Sequence, residues 1–316
     1  MVSQWPIYSR EQLVKYVSYI YNLPLDQGLT KLSEIEDLVR SDPLKALTTL
    51  QQRQLAAIPF SNVVLHYSQH RTISLDHDHL FHKLIERGLG GYCMENTNIL
   101  AIVMRSLGYQ LYTTGGRVSK TYDGPNATGE FTGWGHMILI VTIKGKKYMV
   151  DVGFGPNGPT RPVPLEENKP LTSFIPAHMR LIKDNIKPNV DQSQRLWIFQ
   201  TQPNPESEWR DAFCFYEIEF LPQDYEIMNF WTSKHPKSFF TKKFFCTKFL
   251  LNEAEDDIIG TLVLMGIYLK RNINGNVEEL ASFNSEDERI SALGRWFNVH
   301  LEPLEVRGMR DSVVEI

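Results

Sequence analysis

Cys93 follows two glycines, at a point where the residue pattern predicts that a helix begins. The unpaired N–H groups at a helix N-terminus carry partial positive charge, and this charge favours a thiolate over a thiol. The thiolate is the nucleophilic form of cysteine. A single cysteine is more often a small buried core residue. The residues around Cys93 must therefore decide whether it does chemistry.

His136 and Asp151 are the residues that can activate such a sulfur, provided that the chain between them folds as a hairpin. A two-residue loop at Lys144-Gly145 pairs residue 143 with 146, and hence residue 136 with 153. His136 and Asp151 then lie on one face as diagonal neighbours, within reach of a carboxylate–imidazole hydrogen bond. The carboxylate would orient the imidazole, and the other ring nitrogen would take the proton from sulfur. Each residue alone also has an ordinary explanation, as a structural histidine or a turn aspartate.

Composition limits the classes of protein to which the chain can belong. Its 316 residues suggest about two domains, with one to three defensible. Lys plus Arg is 33 against 37 Asp plus Glu, so no electrostatic drive towards nucleic acid exists and we expect no such partner. Apolar stretches are far shorter than a membrane-spanning helix, and no secretory signal is visible, so we expect a cytoplasmic protein without a membrane partner. Three cysteines are too few for a disulfide framework.

The period of the hydrophobic pattern changes along the chain. Apolar residues spaced for one buried helix face predict helices at 11–21, at 43–57 and from 93 to a stop at Gly108. An alternating pattern then predicts a sheet or barrel, and the Pro-rich stretch 155–195 is interpreted as long loops. The strands are predicted at 112–118, 136–143, 148–152, 196–201 and 213–220, with 180–182 as a further candidate.

The last hundred residues mix strands with a helix. Strands at 261–272 and 276–280 flank Asn274-Gly275, a pair typical of tight hairpin turns. Ser285 and Glu288 form a capping box that predicts the start of a helix.

A cluster of histidines and aspartates, residues 76–79 with His82, is the strongest candidate for a metal site. Closed metal sites usually draw their ligands from opposing elements that hold them rigidly. This run is instead interpreted as the exposed, capped start of a helix at 80–86. No metal is predicted.

The motifs around these residues, in this order, resemble those of the arylamine N-acetyltransferases. The resemblance extends over nearly the whole chain, and the joint order and spacing of its fragments make it specific. The long Pro-rich stretch 156–203 resembles the eukaryotic, fungal-like branch of the family. The fragments are Ile58-Pro59-Phe60-Ser61-Asn62, Gly90-Gly91-Tyr92-Cys93, Thr132-Gly133-Trp134-Gly135-His136, Val150-Asp151-Val152-Gly153-Phe154-Gly155 and residues 229–238.

The resemblance implies an α+β fold of three domains, which agrees with the hydrophobic pattern. These are a helical bundle carrying the nucleophile (1–108), a β-barrel carrying His and Asp (109–215) and an α/β lid (216–316). It also implies a catalytic triad like that of cysteine proteases and a ping-pong acyl transfer. Cys93 would accept an acyl group from acetyl-CoA or another acyl-CoA, His136 would be the general base and Asp151 its orienter. An aromatic amine or hydrazine would then take the acyl group, as in xenobiotic metabolism.

Other site residues are carried over from the family by position. Thr132 and Gly133 match contacts of coenzyme A before the catalytic histidine, and Trp231 and Lys237 match contacts in the third domain. Phe154 matches a residue lining the acceptor pocket, although ordinary core packing explains it equally well. The preferred acyl donor, whether acetyl, propionyl or malonyl, and the natural amine are left open. A monomer is expected.

One departure from the family and two rival functions remain. Leu89 stands before Gly90, where the family often has Arg, and Arg87 lies two residues earlier, so the charge contact behind the nucleophile is unassigned. A cysteine hydrolase or transglutaminase uses the same order of Cys, His and Asp, but the match over 231–238 argues against it. A binding protein without turnover is disfavoured because all three triad positions are filled.

Overall fold

Helices form the first third of the chain in the computed structural model, which describes residues 5–120 and 129–316. Ser9 and Asp42 start two of them by accepting hydrogen bonds from the backbone N–H groups of Gln12 and Lys45. The helices are α1 (Arg10–Tyr21), α2 (Leu25–Ser41), α3 (Pro43–Ala57), α4 (Val63–His66), α5 (His77–Phe81) and α6 (Cys93–Ser106), with a π-helical turn at His82–Glu86. The helices predicted at 11–21, at 43–57 and from 93 are present, and the helix predicted at 80–86 is α5 continued by the π-helical turn. The pattern did not indicate α2 or the short α4.

An antiparallel sheet of eight strands follows, in the order β5-β4-β3-β2-β9-β8-β7-β6. It curls into a nearly closed barrel, since the backbone N–H of Asn168, beyond one edge strand, donates to the carbonyl of Leu181 on β7 at 2.8 Å. Side chains from most strands meet inside it, among them Ile138, Met179 and Phe213. The strands are β2 (Gln110–Ser119), β3 (Phe131–Ile143), β4 (Lys146–Val150), β5 (Val163–Pro164), β6 (Leu171–Thr172), β7 (His178–Asp184), β8 (Leu196–Gln202) and β9 (Arg210–Phe215).

The C-terminal part contains a second antiparallel sheet, of five strands, in the order β1-β10-β11-β12-β13. Its helices are α7 (Pro222–Lys234), α8 (Phe239–Lys242), α9 (Glu286–Phe297) and α10 (Pro303–Arg307). Its strands are β1 (Phe60–Ser61), β10 (Phe245–Leu251), β11 (Ile258–Met265), β12 (Tyr268–Ile273) and β13 (Asn276–Ser282).

Three strand predictions need correction. The strand predicted at 213–220 ends at Phe215, since the chain leaves the sheet to enter α7. The single strand predicted at 261–272 is two strands, because Gly266 adopts φ +60° and turns the chain so that Met265 pairs with Tyr268. The stretch predicted as long loops contains β5, β6 and β7, of which only 180–182 was predicted as a candidate strand. The hairpin at Asn274-Gly275 is present as predicted.

The helical and C-terminal parts share one sheet. β1 lies between α3 and α4 in sequence but pairs with β10, with Phe60 opposite Thr247. The helical and C-terminal domains predicted from the sequence therefore do not have separate sheets. The domain boundaries at residues 108/109 and 215/216 stay a prediction. Within residues 5–120 and 129–316, no helix is long and apolar enough to cross a membrane.

Candidate active site

Cys93 is the first residue of α6, and the turn before it is held from several sides. Gly90 adopts φ +66° and packs against the carbonyl of Pro59, an approach that a side chain would block. The carboxylate of Glu95 accepts a hydrogen bond from the backbone N–H of Tyr92 at 3.1 Å. Only 2% of Cys93 is exposed, and its sulfur lies 3.5 Å from the carbonyl oxygen of Gly135. The sulfur is thus held in a dry position at a helix N-terminus.

His136 and Asp151 meet through the hairpin that the sequence predicts. Lys144 and Gly145 both adopt positive φ and form its turn, so that Ile143 pairs with Lys146. The resulting register brings Nε2 of His136 to 2.6 Å from Oδ2 of Asp151. The other oxygen, Oδ1, accepts from the backbone N–H of Gly153 at 2.7 Å. Both oxygens of the buried carboxylate are therefore occupied, which fixes the imidazole.

The charge on His136 depends on its neighbours more than on burial. Burial of the ring opposes protonation, but the charge and hydrogen bond of Asp151, together with those of Cys93, outweigh it and raise the pKa of His136 to about 10. Because Nε2 faces the carboxylate, Nδ1 is the ring nitrogen left for the sulfur. The arrangement can stabilise a thiolate beside an imidazolium.

A buried ion pair lies directly behind Cys93. The ammonium of Lys83, on the π-helical turn, contacts Oε1 of Glu95, whose other oxygen holds the Tyr92 N–H. Lys83 and Glu95 side chains are 7% and 1% exposed. Sequence reasoning considered Arg87, but Arg87 pairs instead with Glu302 and Glu305 of the C-terminal part. Sequence motifs do not predict the role of Lys83, because its position ten residues before Cys93 belongs to none of them. The helical pattern around Lys83 was the only feature of the sequence that could have indicated that its side chain is buried.

Aromatic rings line the imidazole. The ring of Phe154 lies 5.3 Å from that of His136, edge to face, and Phe213 from the barrel interior lies 4.9 Å away. Phe154 is half-buried, so it borders the site as well as the core. Phe240 on α8 lies 5.3 Å from Tyr92, the residue before the sulfur. The surroundings of the sulfur are therefore aromatic as well as dry.

The four residues matched to coenzyme A contacts are all exposed. Thr132 and Gly133 lie on β3, a few residues before His136, and the Thr132 hydroxyl accepts from the backbone N–H of Val118 at 3.1 Å. Trp231 stands on α7 with 50% of its surface exposed, and its ring stacks on His235 at 5.0 Å. Lys237 follows α7 and has no carboxylate partner in the described part of the chain.

The other reactive side chains have structural surroundings. Burial raises the pKa of Cys214 to about 12 and also raises that of Cys246, so both are inert thiols of the core. Asp76 caps α5 by accepting from the backbone N–H groups of Asp78 and His79. Within the described ranges, no cluster of three or more His, Cys, Asp or Glu residues is arranged to hold a metal ion.

Comparison with known proteins assigns the family. A family model described as N-acetyltransferase matches residues 43–306. The N-malonyltransferase FDB2 of Fusarium pseudograminearum is 35% identical, over 97% of this chain and 94% of the relative. Arylamine N-acetyltransferase 2 of Mus musculus is 30% identical, over 82% of this chain and 88% of the relative. The chain belongs to the arylamine N-acetyltransferase family.

Solved structures of arylamine N-acetyltransferases share the fold. The enzyme from Salmonella typhimurium superposes with a TM-score of 0.76 at 23% identity, over 96% of this chain and 98% of the other. The Mycobacterium marinum enzyme, solved in complex with CoA, gives a TM-score of 0.74 at 24% identity, over 96% and 98%. The predicted family, its fungal-like branch and the enzyme class are confirmed: this arylamine N-acetyltransferase family member is an acyltransferase.

Proposed function

We propose that this enzyme transfers an acyl group from an acyl-CoA to an aromatic amine or hydrazine through a thioester on Cys93. The observation that carries the proposal is the buried contact between Nε2 of His136 and Oδ2 of Asp151, 2.6 Å long, beside a cysteine at a helix start. That arrangement leaves Nδ1 free to exchange a proton with sulfur. Nucleophile, base and orienting carboxylate are then complete.

Transfer takes place in two half-reactions. The Cys93 thiolate attacks the thioester carbonyl of acyl-CoA, the bond to the CoA sulfur breaks, and the proton of the imidazolium goes to the departing CoA thiolate. The amine then attacks the acyl-enzyme carbonyl, and His136 takes the amine proton while the bond to Cys93 breaks. The amide leaves, and the thiolate–imidazolium pair is restored. A thioester suits both steps, since it is readily attacked first by a thiolate and then by a weakly basic amine.

Donor and acceptor would approach from the exposed residues around this centre. Thr132 and Gly133 lie on the strand that carries His136, and Trp231 with Lys237 offers an aromatic face and a cation, which suit an adenine ring and a phosphate. Phe154 would contact the aromatic amine beside the imidazole. The names of the relatives include malonyl and acetyl transfer, so both donors belong in the test. Xenobiotic amines as acceptors and a cytoplasmic location stay predictions.

Intact-mass spectrometry tests the proposal. The protein is mixed separately with acetyl-, propionyl- and malonyl-CoA, and an aniline is added afterwards. We expect one added acyl mass, mapped to Cys93, that the aniline removes as its amide. Cys93→Ser should form no thioester, whereas Cys246→Ala, a matched change at a buried cysteine, should behave like the wild type. An adduct that water discharges as fast as aniline would indicate a hydrolase, and no adduct with any donor would contradict the proposal.

A further inference from the structure

A cavity lies next to the residues of the candidate active site. It measures about 560 Å³ and lies between α6, α7 and the sheet. Met94 and Met137, the residues immediately after Cys93 and His136, form part of its wall. Its size falls within the range of small-molecule sites, roughly 300–1,000 Å³. Nothing in the acyl-transfer mechanism uses this space.

Two polar groups in the cavity lack the partners that such groups usually have. Tyr225 is 4% exposed, and in the described ranges its hydroxyl has no full hydrogen bond beyond a loose contact with the Thr113 hydroxyl. The Thr113 hydroxyl beside it donates instead to the carbonyl of Phe220 at 3.1 Å. A buried hydroxyl without a partner is costly, and most such groups in proteins bind a water or a ligand.

Arg105 is the second such group. Its guanidinium lies 4.7 Å over the ring of Trp5, and it forms no ion pair with a carboxylate in the part of the chain described. Burial lowers the pKa of Arg105, and the charge of Glu219 offsets this only in part. A carboxylate ligand would offset the effect of burial further through charge-assisted hydrogen bonds.

The two carboxylates that border the cavity do not satisfy Arg105. Asp76 accepts from the backbone N–H groups of Asp78 and His79, at 3.1 and 3.0 Å, and so belongs to the start of α5. Glu226 is exposed on α7. The rest of the wall combines the apolar side chains of Met94 and Met137 with uncharged polar ones such as Asn98 and Ser233.

We infer that this cavity binds a small molecule with an apolar body and a carboxylate, held by Arg105 and the hydroxyl of Tyr225. The site adjoins the acyl-transfer centre, because its wall is formed by Met94 and Met137, which follow Cys93 and His136 and pack in the same core cluster as Cys93. The ligand neither donates nor receives an acyl group there. We expect the ligand and acyl-CoA to bind at the same time.

Isothermal titration with 2-naphthoate tests the site, with 2-naphthamide as the neutral probe of the same shape. We expect naphthoate to bind the whole enzyme at least tenfold more tightly than naphthamide, because only the carboxylate pairs with the guanidinium. Arg105→Met should lower the affinity for naphthoate about tenfold or more, and Tyr225→Phe severalfold. Arg295→Met is the matched control, because Arg295 also lies over a tryptophan ring but is itself exposed, on α9. It should change nothing.

Several outcomes would overturn the site. These are no binding of naphthoate at millimolar concentration, equal affinity for the two probes, or unchanged affinity in Arg105→Met. Loss of binding when acetyl-CoA saturates the enzyme would show that naphthoate occupies the acyl-transfer centre instead. If Arg105→Met does not fold, two measurements still test the site. They are the comparison of the two probes on the wild type and the affinity of Tyr225→Phe for naphthoate.

Discussion

Gly153 packs against the backbone of Cys93 so closely that a methyl group at position 153 would lie 2.9 Å from the Cβ of Cys93 and closer still to its Cα. This contact joins the end of the β3–β4 hairpin to the first turn of α6. Neither atom of Cys93 can move aside, since both are held by the start of the helix. The absence of a side chain at Gly153 is thus what allows the sulfur to reach His136.

We expect Gly153→Ala to lower the rate of acyl-enzyme formation by about a hundredfold, because a displacement of roughly 1 Å between reacting groups has that effect. Overpacking should also reduce the free energy of unfolding by about 1–3 kcal/mol. Single-turnover kinetics with acyl-CoA and urea unfolding measure the two effects. Gly294→Ala is the control, since Gly294 lies in α9, where the alanine methyl group would lie no closer than 3.4 Å to its nearest neighbour, His300. Wild-type rates in Gly153→Ala would show that the contact does not position the sulfur.

The ion pair of Lys83 with Glu95 should contribute to stability and to the position of the nucleophile. Lys83→Met leaves a buried carboxylate without its cation, and we expect the free energy of unfolding to fall by about 3–5 kcal/mol. Glu95→Gln added to that variant should recover part of the loss, because a neutral amide can still accept from the Tyr92 N–H. Urea unfolding of the wild type and both variants provides the measurement.

A surface lysine gives the comparison for this prediction. Lys169 pairs with Glu166, and both side chains are about half exposed, at 51% and 45%. Lys169→Met should therefore cost at most about 1 kcal/mol. A loss in Lys83→Met no larger than that in Lys169→Met would mean that the buried pair does not support the turn before Cys93.

The hairpin that joins His136 to Asp151 was predictable because local rules determine it. Lys144-Gly145 suits a two-residue turn, and the alternation of faces along a strand then fixes which side chains meet. The start of α6 followed similarly from helix periodicity and two glycines. Local rules alone therefore predict the contact between His136 and Asp151.

Contacts between segments far apart in sequence were not predictable in this way. The periodicity of hydrophobic residues does not indicate that Phe60 pairs with Thr247, or that Lys83 rather than Arg87 contacts Glu95. Those choices depend on how whole elements pack. The turn at Gly266 was also missed, because the residues on both sides of it continue the pattern of a single strand.

Alkylation by iodoacetamide should distinguish the three cysteines. Burial raises the pKa of both Cys214 and Cys246, so their thiols are protonated at neutral pH. We expect Cys93 to be modified first, with at least tenfold selectivity at pH 7, as followed by peptide mass spectrometry. Prior incubation with acyl-CoA should protect it. Equal, slow labelling of all three residues would argue against an activated Cys93.

Removal of the carboxylate from Asp151 should change the titration of His136. In the wild type we expect the ring to stay protonated through pH 8 and to titrate at about 10, because Asp151 and Cys93 outweigh its burial. In Asp151→Asn the main stabilising charge is lost, so the pKa should fall far below that value, and acyl transfer should decrease sharply. NMR of ¹⁵N-labelled histidine follows the nine histidines, and a His136→Gln sample identifies the signal.

The proton bound to His136 should also make the free energy of unfolding depend on pH. The pKa of His136 in the folded state is raised above the ordinary value of about 6.5. The stabilisation from this proton is therefore complete below about pH 6.5 and is lost as the pH rises through about 10. Asp151→Asn should lack most of this pH dependence, which urea unfolding between pH 6 and pH 10 can compare directly. If His136 instead titrates near 6.5 in both proteins, the carboxylate does not hold the imidazolium, and Asp151 would act through geometry alone.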